Sequence, residues 1–156
     1  VCLPSEQAIK MPDKMSFETG ACLGIPGLTA AECVLDSQPR EGDIVLVSGG
    51  SGSVGNLAVQ LAKWSGAEVI ATGSPKRFKY IKESGADHVL DYKDPDLEAK
   101  ILTIAPTGVD KAIEVEFGVN IELLHRVIRP NGHLSIFGSA KNMNPKISFG
   151  NYLFKS

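Results

Sequence analysis

Ile44, Val45, Leu46 and Val47 follow one another with no polar residue between them, the mark of a strand buried on both faces. After a short stretch of glycine and serine, Val54, Leu57, Ala58, Leu61 and Ala62 recur at helical intervals, so the glycines join a strand to a helix. The alternation then repeats. Residues 68–72 (EVIAT), 88–91 (HVLD), 111–115 (KAIEV) and 133–137 (HLSIF) predict strands. Residues 75–84 (PKRFKYIKES), 95–105 (PDLEAKILTIA) and 120–128 (NIELLHRVI) predict the helices between them. Upstream, residues 16–38 begin with Ser16 three places before Thr19 and carry apolar residues at roughly helical spacing. Gly24 and Pro26 interrupt that pattern, which predicts two short helices meeting near Ile25 and Pro26.

Five strands alternating with helices call for a parallel sheet, because parallel neighbours need a crossover and helices supply it. The fold class is therefore α/β, a doubly wound parallel sheet covered on both faces. A chain of 156 residues is long enough for one such core.

Composition narrows the function classes. With 22% charged residues and a net charge of -2, the chain has no basic excess suited to nucleic acid, so small molecules or proteins are the expected partners. No apolar run approaches the roughly 20 residues of a membrane helix, and the amino end carries no secretory pattern, so no membrane association and a cytoplasmic location are expected. Cys2, Cys22 and Cys33 are odd in number and far apart, which suits reduced thiols. No spacing of His and Cys suggests a metal site. The chain opens on Val1, and a piece of a longer protein is the expectation.

Gly50, Gly52 and Gly55 form a G-x-G-x-x-G pattern between the first strand and its helix. By itself the pattern is weak, and a plain connector would satisfy it. In a βα unit followed by further βα units it favours a dinucleotide: glycine permits the turn, its bare backbone admits a pyrophosphate, and free amides at the helix start face the phosphates. An acid at the end of the second strand would select NAD by binding the adenosine ribose. Gly73 and Ser74 stand there instead, followed by Lys76 and Arg77, which favours NADP(H). The alternative is that both cations are solvated residues in the first turn of a helix, against its dipole.

The segments KMPDKMSFETGACLGIPGLTA, VLVSGGSGSVGNLAVQLAKWSGAEVIAT, SGADHVLDY and VIRPNGHLSIFGS resemble the zinc-independent quinone oxidoreductase branch of the medium-chain dehydrogenases/reductases over nearly the whole chain. The resemblance implies a Rossmann-type nucleotide-binding domain over residues 39–156. Residues 1–38 would be the end of a mostly missing catalytic domain and its linking helices. It further implies a sixth strand beyond residues 148–156 and a homodimer when full length. Ser51, Gly52, Ser53 and Val54 would hold the pyrophosphate, with Gly50 and Gly55 in the same turn. Ser74, Arg77 and Tyr92 would surround the 2′-phosphate and ribose, with Lys76 beside them. Phe137, Gly138, Ser139 and Thr29 would lie near the nicotinamide. Ile25 stands where zinc-containing relatives carry a cysteine ligand, so no metal is implied. Glu114 takes the place of a common aspartate, while Glu116 and Phe117 depart from the family pattern; Glu116 either touches the cofactor or faces water. The stretch IPGLTAAE lacks the aromatic residue frequent in quinone reductases.

What the resemblance implies is an NADPH-dependent, zinc-independent oxidoreductase. It would pass hydride to a small-molecule electron acceptor, a quinone or an α,β-unsaturated carbonyl. This segment alone is expected to be inactive. An enoyl thioester reductase and a non-catalytic NADPH-binding module, whether a sensor or a crystallin-like protein, stay open as alternatives. No residue offers itself as a general acid: His88, His125 and His133 fall in strand and helix contexts, and the charged stretches 82–87 and 93–100 read as solvated surface. The aromatic residues near the carboxyl end read as core or exposed interface.

Overall fold

The 44–47 run is apolar throughout because helices cover both sides of it. The computed structural model describes residues 2, 4–37, 39–148 and 150. Its strands are β1 (Ile44–Val47), β2 (Glu68–Gly73), β3 (His88–Asp91), β4 (Val109–Glu114) and β5 (Ile128–Ile136). Its helices are α1 (Phe17–Leu35), α2 (Ser53–Trp64), α3 (Phe78–Glu83), α4 (Leu97–Ile104) and α5 (Phe117–Val127). The strands form one parallel sheet in the order β3-β2-β1-β4-β5, with β1 at the centre. On one face Val45 and Val47 pack with Ala30, Cys33 and Val34 of α1, Ala58, Val59 and Ala62 of α2 and Ile81 of α3. On the other, Leu46 packs with Leu97 and Ile101 of α4 and Leu124 and Val127 of α5. The expected doubly wound sheet is the one observed.

The boundaries differ in three informative places. First, the two helices expected between residues 16 and 38 do meet within the span Phe17–Leu35, but their junction is the non-helical Gly24 (φ −48°, ψ −105°), one residue before Ile25 and two before Pro26. Pro26 has no amide to donate, so the chain bends upstream of it rather than stopping. Ser16 caps the start, its Oγ accepting from the Thr19 amide at 3.2 Å. Second, α5 begins at Phe117 instead of Asn120. Third, β5 starts at Ile128, five residues before His133. Pro130, Asn131 (φ 58°) and Gly132 lie inside this strand, and its register with β4 shifts between Val109 and Lys111. The turn-forming residues make a bulge in a longer strand rather than a loop.

A buried lysine fastens α1 to the sheet. Lys111 of β4 is 2% exposed, and its amine donates to the Val34 carbonyl, to Asp36 Oδ1 at 2.5 Å and to Ser37 Oγ at 2.5 Å. Asp36 Oδ2 also meets His133 Nε2 at 2.9 Å, and Ser135 Oγ donates to the Cys33 carbonyl. A cation thus sits against the carboxyl end of α1, where the helix dipole favours it.

Candidate functional site

β1 lies at the point where the strand order turns back: β2 and β3 extend to one side of it, β4 and β5 to the other. In open α/β sheets the crevice at the carboxyl ends of the strands at that point is the ligand site. Here it holds the glycine turn. The Ser48 amide donates to Ile113 O (2.9 Å) and the Gly50 amide to Thr72 O (2.8 Å), so the turn is stitched to β4 and β2 at once. Gly52 N–H closes it on Gly49 O at 2.9 Å.

The glycines have separate jobs, and the residue in the left-handed region is Gly49 (φ 68°), one place before the motif read from the sequence. A Cβ on Gly55 would stand 2.2 Å from Gly49 O, so only glycine lets α2 come this close to the strand. A Cβ on Gly50 would meet Ala71 Cβ at 3.0 Å and Ile81 at 3.2 Å. Gly52 is different: the nearest atom is Gly49 O at an ordinary 3.4 Å, so the protein itself leaves room for a side chain. The bare surface at Gly52 is open for something outside the chain. Gly52 is also the N-cap of α2 and offers no side-chain cap, which leaves the helix's first amides facing outward beside exposed Ser53.

Beside the turn lies a cleft of about 440 Å³, lined among others by Ser48, Gly49, Thr72, Tyr92, Lys93 and Lys141. Its other wall is the β4–α5 connection, with Val115, Glu116, Val119 and Asn120. Tyr92 reaches it because Asp91 is in register with Gly73, so the chain leaves β3 alongside the exit of β2. That exit carries half-buried Ser74 and exposed Lys76 and Arg77, and neither cation has an ion pair among the described residues. Lys93 stands 5.6 Å over the Tyr92 ring and is likewise without an ion pair.

The remaining expected residues are placed differently. Thr29 is on α1, outside the cleft lining, and its hydroxyl donates back to Ile25 O at 2.8 Å. Phe137 packs against the core on the α1–α2 face. Gly138 is pressed on Val115, where a Cβ would be 2.4 Å from the carbonyl oxygen. Ser139 Oγ is occupied internally, accepting from the Gly118 amide at 2.8 Å and donating to Asn142 O at 2.6 Å. Glu116 does not simply face water: its Oε1 accepts from the Lys141 amide at 2.7 Å, tying the segment after β5 to the start of α5. The aromatic residues Phe149, Tyr152 and Phe154, and the segment expected to lead into a sixth strand, lie outside the described residues or at their limit.

Sequence reasoning gave Glu114 no role, although its substitution for the family's aspartate marked the position. It is 1% exposed at the end of β4 and accepts from Ser48 Oγ (3.1 Å), Asn120 Nδ2 (2.9 Å) and the Glu116 amide. Burial pushes its carboxyl above the ordinary value, against the lowering effect of those donors.

A doubly wound parallel sheet with a glycine turn and an uncapped helix start at its switch point defines a nucleotide-binding domain of the Rossmann type. Residues 53–156 match the family described as zinc-binding dehydrogenase. The chain is 44% identical over 106 residues to the trans-enoyl reductase tazE of Aspergillus terreus, an alignment covering 63% of this chain and 35% of that protein. A quinone oxidoreductase structure from Pseudomonas syringae superposes with a TM-score of 0.88 at 29% identity, over 98% of this chain and 48% of that one. A mycobacterial protein complexed with NADPH superposes with a TM-score of 0.85 at 28% identity, over 94% and 46%. The chain belongs to the medium-chain dehydrogenase/reductase family, of which it represents the nucleotide-binding domain. It spans about a third of the length of the curated relatives it matches.

The family's description directs attention to metal ligands. Among the described residues no group of three His, Cys, Asp or Glu side chains converges. Cys22 is exposed on α1, and Cys33, farther along the same helix, is buried in the core. These residues do not fit a zinc site.

Proposed function

We propose that this chain is the cofactor-binding part of an NADPH-dependent reductase that delivers hydride to an electron-poor carbon–carbon double bond conjugated to a carbonyl. The observation that carries the proposal is the pair Lys76 and Arg77, without an ion pair among the described residues, at the exit of β2, where an acid would reject a 2′-phosphate, next to a glycine turn bare at Gly52. Gly52 with the Ser53 and Val54 amides would hold the dinucleotide's pyrophosphate. Ser74, Lys76, Arg77 and Tyr92 would hold its 2′-phosphate, and Phe137 to Ser139 with Thr29 would border its nicotinamide half on the side of the β4–α5 connection. NADPH supplies the hydride when bound. The protein's own part is position and the exclusion of water. Hydride, which carries both electrons, adds to the carbon β to the carbonyl and a proton from solvent adds to the α carbon, so the acceptor gains two electrons and two protons in all.

The similarity to trans-enoyl reductases favours an enone or enoyl thioester acceptor. The likeness to a quinone oxidoreductase supports a quinone as the second reading. Residues 1–38 are assigned to the end of a catalytic domain, whose remainder would cover Phe17, Ile25 and Leu28, which are 84%, 82% and 70% exposed on α1. A cytoplasmic, dimeric and zinc-independent whole protein completes the proposal.

Calorimetric titration with NADPH and NADH tests the cofactor assignment. Arg77→Ala should weaken NADPH binding about tenfold and leave NADH unchanged, as expected for loss of one charge-assisted contact. Equal binding of both cofactors by the wild-type chain would sink the phosphate assignment. With the whole protein, NADPH oxidation on enone and quinone panels separates the two acceptors.

A further inference from the structure

Glu114 stands where a carboxylate is costly. It is almost wholly buried, takes part in no ion pair among the described residues, and could be replaced in volume by an apolar side chain that needs no partners. What it does instead is join two walls. Ser48, which donates to it, is the residue through which β1 enters the glycine turn; Asn120 and the Glu116 amide, which also donate to it, belong to the start of α5. All three converge on one oxygen, Oε1, and all three residues line the cleft.

We infer that Glu114 is a positioning residue of the cofactor cleft, tying its two walls together at the switch point and taking up a proton from solvent when a dinucleotide docks above it. This rests on the dinucleotide reading of the site. A pyrophosphate laid across the turn brings negative charge to a group already poorly solvated, which favours the neutral acid. Because the three donors that join the walls use Oε1, a proton on the other oxygen leaves the tie between the walls in place. Burial already holds the carboxyl above 4.5, so the uptake falls at higher pH than for a surface acid.

The surroundings agree in sign. The charged and titratable groups lining the cleft are Tyr92 and Lys93 after β3, Glu116 before α5, and Lys141 after β5. α4 and α5 turn Leu97, Ile101, Leu123 and Leu124 toward the small cavity beneath, none of them titratable. Bound phosphates neutralise the field of Lys93 and Lys141, which removes support for the carboxylate and again favours proton uptake. Glu116 could also take up a proton, so the test must single out Glu114.

The test is calorimetric titration of the chain with NADP⁺ in two buffers of different protonation enthalpy, over a pH series rising from the ordinary carboxyl value. The wild type should take up part of a proton on binding, and its affinity should fall as pH rises through the carboxyl's raised value. The fall is up to about tenfold for each unit by which binding raises that pKa. Glu114→Gln should keep the Oε1 acceptor, bind NADP⁺ and lose this proton uptake; the 2′-phosphate titrates in both proteins and cancels in the difference. Ser48→Ala removes one donor to the carboxylate and should move the uptake to higher pH, which decides the matter even if Glu114→Gln fails to fold. Identical uptake in the wild type and Glu114→Gln, or an unmoved profile in Ser48→Ala, overturns the inference and leaves the site standing. A wild-type chain that binds no NADP⁺ overturns both.

Discussion

At the scale of single residues, the glycine turn separates two kinds of constraint that one motif conceals. Gly55 is held by the protein: an added Cβ would sit 2.2 Å from Gly49 O and 2.8 Å from its carbonyl carbon. Gly55→Ala should therefore cost about 2 kcal/mol or more in urea unfolding and should also weaken NADPH binding by displacing the turn. Nothing in the chain fills the space of a Gly52 side chain, and its backbone is ordinary and extended. Gly52→Ala should cost less than about 1 kcal/mol, the usual difference at an N-cap, while lowering NADPH affinity at least about tenfold. If Gly52→Ala binds NADPH normally, the pyrophosphate does not cross that residue.

At the scale of elements, the attachment of α1 depends on charges in an otherwise apolar layer. Lys111 is enclosed, whereas Asp36 is about a third exposed and also meets His133. The two partners should therefore respond unequally to mutation. Lys111→Met leaves Asp36 with water and His133 and puts an apolar chain in an apolar space, at a cost of about 1–2 kcal/mol. Asp36→Ala strands a buried ammonium and should cost about 3 kcal/mol or more, read by the same unfolding experiment. A larger loss for Lys111→Met would show that the ion pair is not what anchors α1.

At the scale of the whole molecule, stability should depend on acid in a definite direction. Burial works to raise the Asp36 and Asp87 carboxyls, but Lys111 with His133, and Lys63 with the Val69 amide and His88, outweigh it and hold both below 3.8. Folded values below the unfolded one mean that their contribution is complete above 3.8 and is lost as pH falls through the folded values. Glu114 has the opposite sign: its folded value is raised above 4.5, so its contribution is complete below 4.5 and is lost as pH rises through that raised value. Urea midpoints measured against pH should therefore fall on the acid side, a limb that Asp36→Asn and Asp87→Asn flatten. Glu114→Gln should gain on the wild type as pH rises.

Much of this architecture is legible in the sequence for local reasons. Period and burial fix 44–47 as an internal strand and 54–62 as its helix, because an apolar run between two helical layers admits no polar alternation. The exit of β2 could be read for charge because its residues are consecutive. Other features were not local. Asn131 and Gly132 signal a turn, and only pairing with β4 makes them a bulge within β5. Gly49 and Gly50 are indistinguishable as letters, and their different roles follow from dihedral angle and from the distance to Ala71.

The sequence by itself determined the succession of elements, the sheet's parallel sense, the glycine turn and the cations beside it, since each depends on residues near one another in the chain. Tertiary structure alone decided what Glu114, Lys111 and Ser139 do. Ser48 lies 66 positions from Glu114, and Asp36 lies 75 from Lys111. A buried charge takes its meaning from the partners that folding brings to it, and no spacing along the chain encodes the direction from which they arrive.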